Sequence, residues 1–181
     1  VVFLLASWRI KFFGVIDAEK SVLVKTGLMK ITRCETYRKY EIWQDGECKV
    51  IATAIWFTVN PQTMRIVSIP EEVINSFDSE MEEDNDLPCE RLRPMEDMEL
   101  VAQTVVEKMD MDTNDHMNNM KSVELALNYL PDGVGFTEIQ VKYRRELKKG
   151  DNVSVFVKKT NDGYAIELHN LDSQCVLVYV K

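Results

Sequence analysis

Hydrophobic and polar positions alternate through most of the first sixty residues. Trp8, Ile10 and Phe12 are interleaved with Arg9 and Lys11, the period-two pattern of a half-buried strand. Val22–Lys25 and Tyr37–Trp43 predict two more strands. Gln44-Asp45-Gly46-Glu47 then supplies a hairpin turn that returns into a strand from Val50 to Val59. Asn60-Pro61 closes that run. Pro70-Glu71-Glu72-Val73 predicts a short helix, with Pro at its first position and acids in its first turn.

The second half carries a different rhythm. Leu100–Val106 predicts a strand, followed by a polar stretch from Asp110 to Asn118. Met120, Val123, Leu127 and Leu130 then share one helical face. Asn118 or Asn119 can cap this helix, and Pro131-Asp132-Gly133 stops it. Four strands are predicted next, at 136–146, 152–159, 164–170 and 174–180, with Asp162-Gly163 marking a hairpin. Strand, helix and four strands describe an α+β unit in which one helix lies on an antiparallel sheet.

Residues 77–94 are acidic and poor in aliphatics, as a solvated linker would be. The expected organisation is therefore a partial N-terminal domain over 1–76, a linker over 77–94 and a C-terminal domain over 95–181. The two halves echo one another. Arg9-Ile-Lys-Phe12 before Val22–Thr26 parallels Gln140-Val-Lys-Tyr143 before Val155–Lys158, and Glu41–Cys48 parallels Glu167–Cys175. Two copies of one unit are predicted, the first lacking its opening strand and helix. The chain opens on Val1 rather than Met and runs straight into a strand pattern, so an upstream strand and amphipathic helix are expected.

Composition narrows the function. A chain of 181 residues with 45% hydrophobic content folds as one large domain or two small ones. Thirty acidic against twenty-two basic residues give a net charge of −8, which excludes a general nucleic-acid binder. A local basic patch is still compatible with that sum. Lys142, Arg144, Arg145, Lys148 and Lys149 place five cations within eight residues. They suit either a dock for an acidic partner or for a phosphate group it carries, or a charged strand edge that discourages aggregation. Cys34, Cys48, Cys89 and Cys175 form no CxxC pair, so neither a zinc site nor a disulfide framework is expected, and reduced thiols imply a cytoplasmic protein. The apolar run Val1–Ala6 is too short for a membrane span, and basic residues follow it rather than precede it, unlike a signal peptide. Trp8, Trp43 and Trp56 are expected in the core, the cysteines as buried small hydrophobes, and His169 as structural.

Candidate chemistry concentrates between Asp110 and Asn119. In an extended segment Asp112, Asn114, His116 and Asn118 would share a face, placing a carboxylate, amides and an imidazole just before a helix N-terminus. Such a set can polarise a carbonyl and move a proton. Asp110-x-Asp112-x-Asn114 imitates the start of an EF-hand loop, but Asp115 and Lys121 stand where that loop needs Gly and Glu, so calcium is excluded. No second His lies at ligand spacing, so no metal is expected. A plain polar loop with Asx-turns and a cap accounts for the same residues.

The pattern Asp112-x-Asn114-x-His116-x-Asn118-Asn119, a helix ending at Pro131, and Tyr143-Arg-Arg-Glu146 resembles the acyl-acyl-carrier-protein thioesterases of plants and bacteria. Ala54-Ile-Trp56-Phe57, Thr63-Met-Arg65 and Ile69-Pro70-Glu71-Glu72 extend the likeness into the first half. The resemblance implies a tandem hot-dog fold, each antiparallel sheet wrapped on a central helix, and release of a free fatty acid. It implies Asp112, Asn114, His116 and Glu146 as the catalytic set, backbone N–H groups at Asn118 and Asn119 as oxyanion donors, and no cofactor. The implied partner is an acidic acyl carrier protein, in a bacterial cytoplasm, with a homodimer as an open alternative to a monomer. Alternatives are a hot-dog thioesterase acting on acyl-CoA and a non-catalytic acyl-binding protein. Many plant members carry a Cys directly after the Glu; Leu147 stands there instead, which leaves water as the expected nucleophile. Strict alternation from Tyr143 turns Glu146 away from the site, and a bulge at Arg144-Arg145 would turn it back.

Overall fold

The computed structural model describes residues 1–77, 87–171 and 173–181. The chain divides into two compact units, Val1–Glu90 and Arg91–Lys181. Among the described residues no helix is long and apolar enough to cross a membrane.

The first unit is built from β1 (Val2–Phe12), β2 (Leu23–Ile31), β3 (Glu35–Gln44), β4 (Glu47–Val59) and a short helix α1 (Glu71–Ile74). β2 pairs with β3, β3 with β4 and β4 with β1, all antiparallel. The β3–β4 hairpin closes at Asp45 and Gly46 with φ of 53° and 82°. Two successive positive φ values define the tight turn whose twist matches that of its strands, which is why Asp-Gly occurs there. β2 is longer than its Val22–Lys25 signal, extending to Ile31 across a bulge between Leu28 and Lys30.

The second unit contains β5 (Glu99–Val105), a 3₁₀ turn (Lys108–Asp110), α2 (Asn119–Leu127), β6 (Glu138–Tyr143), β7 (Asn152–Lys159), β8 (Tyr164–Asn170) and β9 (Ser173–Val180). β7 pairs with β8, β8 with β9, β9 with β6, and β5 adds to the outside of β7. The succession β7-β8-β9-β6 repeats β2-β3-β4-β1, so the echo between the halves corresponds to one meander built twice. The second copy also has β5 and α2 ahead of it; the first unit has no helix longer than α1 among its described residues.

Both faces of the second sheet are covered. Val155, Val157, Ile166, Leu168, Val176, Val178 and Val141 are cross-strand partners and therefore share one face, against which α2 packs on β8 and β9. The register Phe156, Glu167, Leu177 and Lys142 forms the other. A strap from Arg91 to Asp97 crosses that second face. Tyr179 donates its hydroxyl to Arg93 O at 2.8 Å, Lys158 Nζ reaches Glu96 O at 2.6 Å, and Met95 N–H donates to Glu167 Oε1 at 3.0 Å. Glu167 is only 2% exposed, yet its other oxygen holds His169 Nε2 at 2.8 Å and accepts from the Gln174 amide, so this buried carboxylate has no unmet need. His169 has a structural partner in Glu167, and its ring also meets that of Phe156 at a tilt, with centroids 4.8 Å apart.

Several expectations are corrected here. The helix face of Met120, Val123, Leu127 and Leu130 is not the buried one: Ser122 and Ala126 are buried and Met120 is exposed. Small side chains let the helix approach the sheet closely. The helix ends at Leu127, and the last turn tightens through Leu130 N–H to Leu127 O. None of Trp8, Trp43 and Trp56 is buried; they are half-exposed on a sheet that no long helix covers among the described residues of that unit. Trp43 instead donates to Glu41 at 2.8 Å and lies under Lys25. Of the four free cysteines only Cys175 is buried. The acidic stretch 78–86 lies outside the described residues, but 87–94 is no solvated tether, because Leu87 and Leu92 are both buried.

Candidate active site

The segment from Met111 to Met117 is a closed loop, not an extended ladder. Met111 and Met117 form an antiparallel bridge, and Asp112 N–H donates to His116 O at 2.8 Å. Asp115, at φ 60°, makes the reversal. The expectation that Asp112, Asn114, His116 and Asn118 point one way is therefore corrected: with so many short polar side chains, the backbone finds its partners inside the loop.

Asp112 serves that loop. Its Oδ1 accepts from Asn114 N–H at 2.8 Å and from His116 N–H at 3.3 Å. Burial by itself would raise the Asp112 carboxyl, but these donors outweigh it and hold the group below the ordinary carboxylate value. Asn114 is exposed at the tip.

Two backbone bonds fasten the loop to its surroundings. Asn118 N–H donates to Asp110 O at 2.7 Å, and Met117 N–H donates to Leu147 O at 2.7 Å. The second bond decides the site: with Met117 fixed on Leu147, the residues just before each, His116 and Glu146, come side by side. His116 Nε2 and Glu146 Oε2 are 3.0 Å apart, with side chains 29% and 39% exposed.

Glu146 faces the loop because the strand is irregular just before it. Arg144 N–H and Arg145 N–H both reach Cys175 O, at 2.8 and 3.3 Å. Two residues against one is the pairing of a β-bulge, and it re-aims every side chain beyond it. The residue after Glu146 is Leu147, which has no thiol, and its side chain is buried in the core.

Asn118 Oδ1 accepts from Met120 N–H at 2.8 Å and caps α2. Its own N–H is held by Asp110, so Asn118 is not the oxyanion donor that the resemblance implied. Asn119 begins the helix, and among the described residues no acceptor takes its N–H. Its carbonyl accepts from the Tyr143 hydroxyl at 3.3 Å, and burial holds that phenol well above its usual range.

The five-cation cluster does not stay together. Arg145 Nη1 donates to Ser173 Oγ at 2.9 Å, while Lys148 and Lys149 lie exposed at the turn where Lys148 N–H meets Asp151. Lys142 and Arg144 instead line a cleft of about 600 Å³ with Arg91, Arg93, Met95 and Glu96, and none of the loop residues lines it. Sequence reasoning missed Arg91 and Arg93, which fell in the stretch taken as linker. Their signal was alternation around the buried Leu92. No cluster of His, Cys, Asp and Glu suited to a metal occurs among the described residues.

Comparison with known proteins agrees with this architecture. Residues 1–77 match the family model of the acyl-ACP thioesterase N-terminal domain, and residues 95–176 match that of the acyl-ACP thioesterase C-terminal domain. No curated protein sequence matches the chain. Among solved structures, an acyl-ACP thioesterase from Bacteroides thetaiotaomicron aligns at TM-score 0.83 and 19% identity, over 98% of this chain and 75% of that one. The 12:0-ACP thioesterase from Umbellularia californica aligns at TM-score 0.86 and 17% identity, over 99% and 74%. A MaoC-like dehydratase from Phytophthora capsici shares the fold more distantly, at TM-score 0.67 and 9% identity, over 98% and 71%. The fold is the tandem hot-dog, and with both domain models matched in order the chain belongs to the acyl-ACP thioesterase family, hydrolases that release free fatty acid from acyl carrier protein.

Proposed function

We propose that His116 and Glu146 together supply the general base for hydrolysis of the acyl thioester. The observation that carries this is their 3.0 Å contact, made by two chain segments that backbone bonds hold in register. With His116 Nε2–H donated to Glu146 Oε2, the remaining carboxylate oxygen takes a proton from water as the water oxygen attacks the acyl carbon. A C–O bond forms, the C–S bond breaks, and the electron pair leaves on sulfur. The captured proton then passes to the thiolate, giving a carboxylic acid and a free thiol.

A thiol of pKa about 8.5 leaves without strong acid assistance, so water activation and oxyanion stabilisation carry the reaction. Asn119 N–H, at the positive end of α2, is the donor for the oxyanion. Asn114 orients the reacting groups from the loop tip, and Asp112 keeps the loop closed. The four free thiols favour a reducing, cytoplasmic setting.

His116→Ala should lower turnover on acyl carrier protein substrate by at least about 10²-fold, since a positioned acid–base group contributes roughly that much. A near-normal rate in a variant with unchanged melting would remove His116 from the mechanism. Parallel assays with the same acyl group on carrier protein and on CoA test the choice of carrier.

A further inference from the structure

We propose that Tyr143 is a positioning residue for the hydrolysis, holding the first turn of α2 so that the oxyanion donor stays aimed at the reacting carbonyl. The proposal deepens the thioesterase reading and rests on it, with Asn119 N–H as that donor. The tie is a hydrogen bond from the Tyr143 hydroxyl to Asn119 O at 3.3 Å. Ser122 Oγ donates to the same carbonyl at 2.8 Å, from a residue only 3% exposed. The other end of that peptide is pinned as well, because Met120 N–H donates to Asn118 Oδ1 at 2.8 Å. Two peptides earlier, Asn118 N–H is held on Asp110 O at 2.7 Å. Asn119 N–H thus belongs to a peptide between two anchored ones, and its own carbonyl, Asn118 O, accepts from Ser122 N–H at 3.1 Å. A donor fixed before the reaction need not be reoriented during it.

Those local bonds shape the first turn of α2, and two others place it against the sheet: Met117 N–H on Leu147 O, and the Tyr143 hydroxyl on Asn119 O. Tyr143 and Leu147 bracket the bulge at Arg144 and Arg145 and, with it, Glu146. Their partners, Asn119 and Met117, stand on either side of Asn118. The donor and the His116–Glu146 pair are thereby held in one frame, with the Met117 bond next to the base and the Tyr143 bond next to the donor. Tyr143 pairs with Val176 and so lies on the sheet face against which α2 packs. Burial keeps its phenol above the usual pKa, so near neutral pH the hydroxyl retains its proton and serves as a hydrogen-bond donor. Without that hydroxyl the Met117–Leu147 bond still holds the base, while the start of α2 is free to tilt and carry Asn119 N–H off its aim.

The test compares Tyr143→Phe with Tyr179→Phe in the whole chain. Each removes one phenol hydroxyl from a backbone carbonyl, but Tyr179 donates to Arg93 O on the sheet face away from α2. Tyr143→Phe should lower kcat about tenfold, less than the roughly 10²–10³-fold that follows complete loss of an oxyanion donor. KM should change by less than about twofold, and the pH profile of kcat should not move. Tyr179→Phe should lower melting by a similar amount and leave kcat within about twofold. An unchanged kcat in Tyr143→Phe, or an equal loss from Tyr179→Phe at matched melting, would overturn the proposal. So would a shifted pH profile, which would place the phenol in the acid–base chemistry itself. Carbonyl polarisation is read separately, without turnover, by difference infrared spectroscopy on a bound pantetheine ketone in which CH₂ replaces the thioester sulfur. Its labelled C=O stretch should lie lower on the unsubstituted chain than in solution. Tyr143→Phe should return the band toward the solution value, and Tyr179→Phe should leave it in place. A band that Tyr143→Phe does not move would overturn the proposal even if hydrolysis is observed, while the expected movement without hydrolysis would break the thioesterase reading alone.

Discussion

The two meanders have the same strand order and very different surroundings. β7 presents Val153, Val155 and Val157 at 1%, 0% and 9% exposure, whereas its counterpart β2 leaves Leu23 and Val24 each 57% exposed. The difference extends to the chemistry. In the echo that matches Phe12 with Tyr143, the position of Glu146 falls on Val15, an aliphatic side chain 89% exposed. The meander is thus a scaffold that either copy can build. What sets the second copy apart is the loop and helix inserted between β5 and β6, together with one irregularity at the end of β6.

That contrast can be broken in several ways, beginning with the largest effect. Glu146→Gln should reduce turnover by at least about 10²-fold while leaving the melting temperature nearly unchanged. Val15→Gln, the equivalent change in the first copy, should alter stability by no more than about 0.5 kcal/mol. A comparable loss of turnover from Val15→Gln would show that the first copy shares in the chemistry.

Packing gives the next test. Val155→Ala removes a side chain with no exposure and should cost about 1.5–3 kcal/mol in denaturant unfolding. Val24→Ala should cost within about 0.5 kcal/mol. Similar costs at both positions would mean that β2 is covered in solution.

The two Asp-Gly hairpins sharpen the point. At Gly163 an added Cβ would sit 1.8 Å from Val180 O, so Gly163→Ala must displace backbone and should cost roughly 1–3 kcal/mol. Gly46 has open space around it and needs only its φ of +82°, which Asn tolerates, so Gly46→Asn should be close to neutral in melting temperature.

The smallest effect concerns pH. Because the Asp112 carboxyl is held below its unfolded value, it binds fewer protons folded than unfolded. Its contribution is complete above the unfolded pKa of about 3.9 and is lost as pH falls through the lower, folded one. Melting of Asp112→Ala should lie below that of the unsubstituted chain at neutral pH, and the gap should shrink below about pH 4. A gap independent of pH would assign the role of Asp112 to packing.

Much of this molecule was written locally. Period-two alternation placed the strands, Asp45-Gly46 fixed the first hairpin, and Asn118 marked the start of α2, because each depends on a few neighbouring residues. The motif from Asp112 to Asn119 could likewise be found by residue type and spacing alone.

What the sequence could not decide was whatever depended on a distant partner. Alternation sent Glu146 to the wrong face, and only the carbonyl of Cys175, taking two successive N–H groups, brought it round to His116. Which side of α2 is buried followed from how closely the sheet could be approached, which favoured Ser122 and Ala126 over Met120. Arg91 and Arg93 joined Lys142 and Arg144 because a strap more than forty residues upstream was tied across the sheet. Side-chain periodicity is a property of one segment; pairing, close approach and the gathering of charge belong to two segments at once, and so are settled only when the chain has folded.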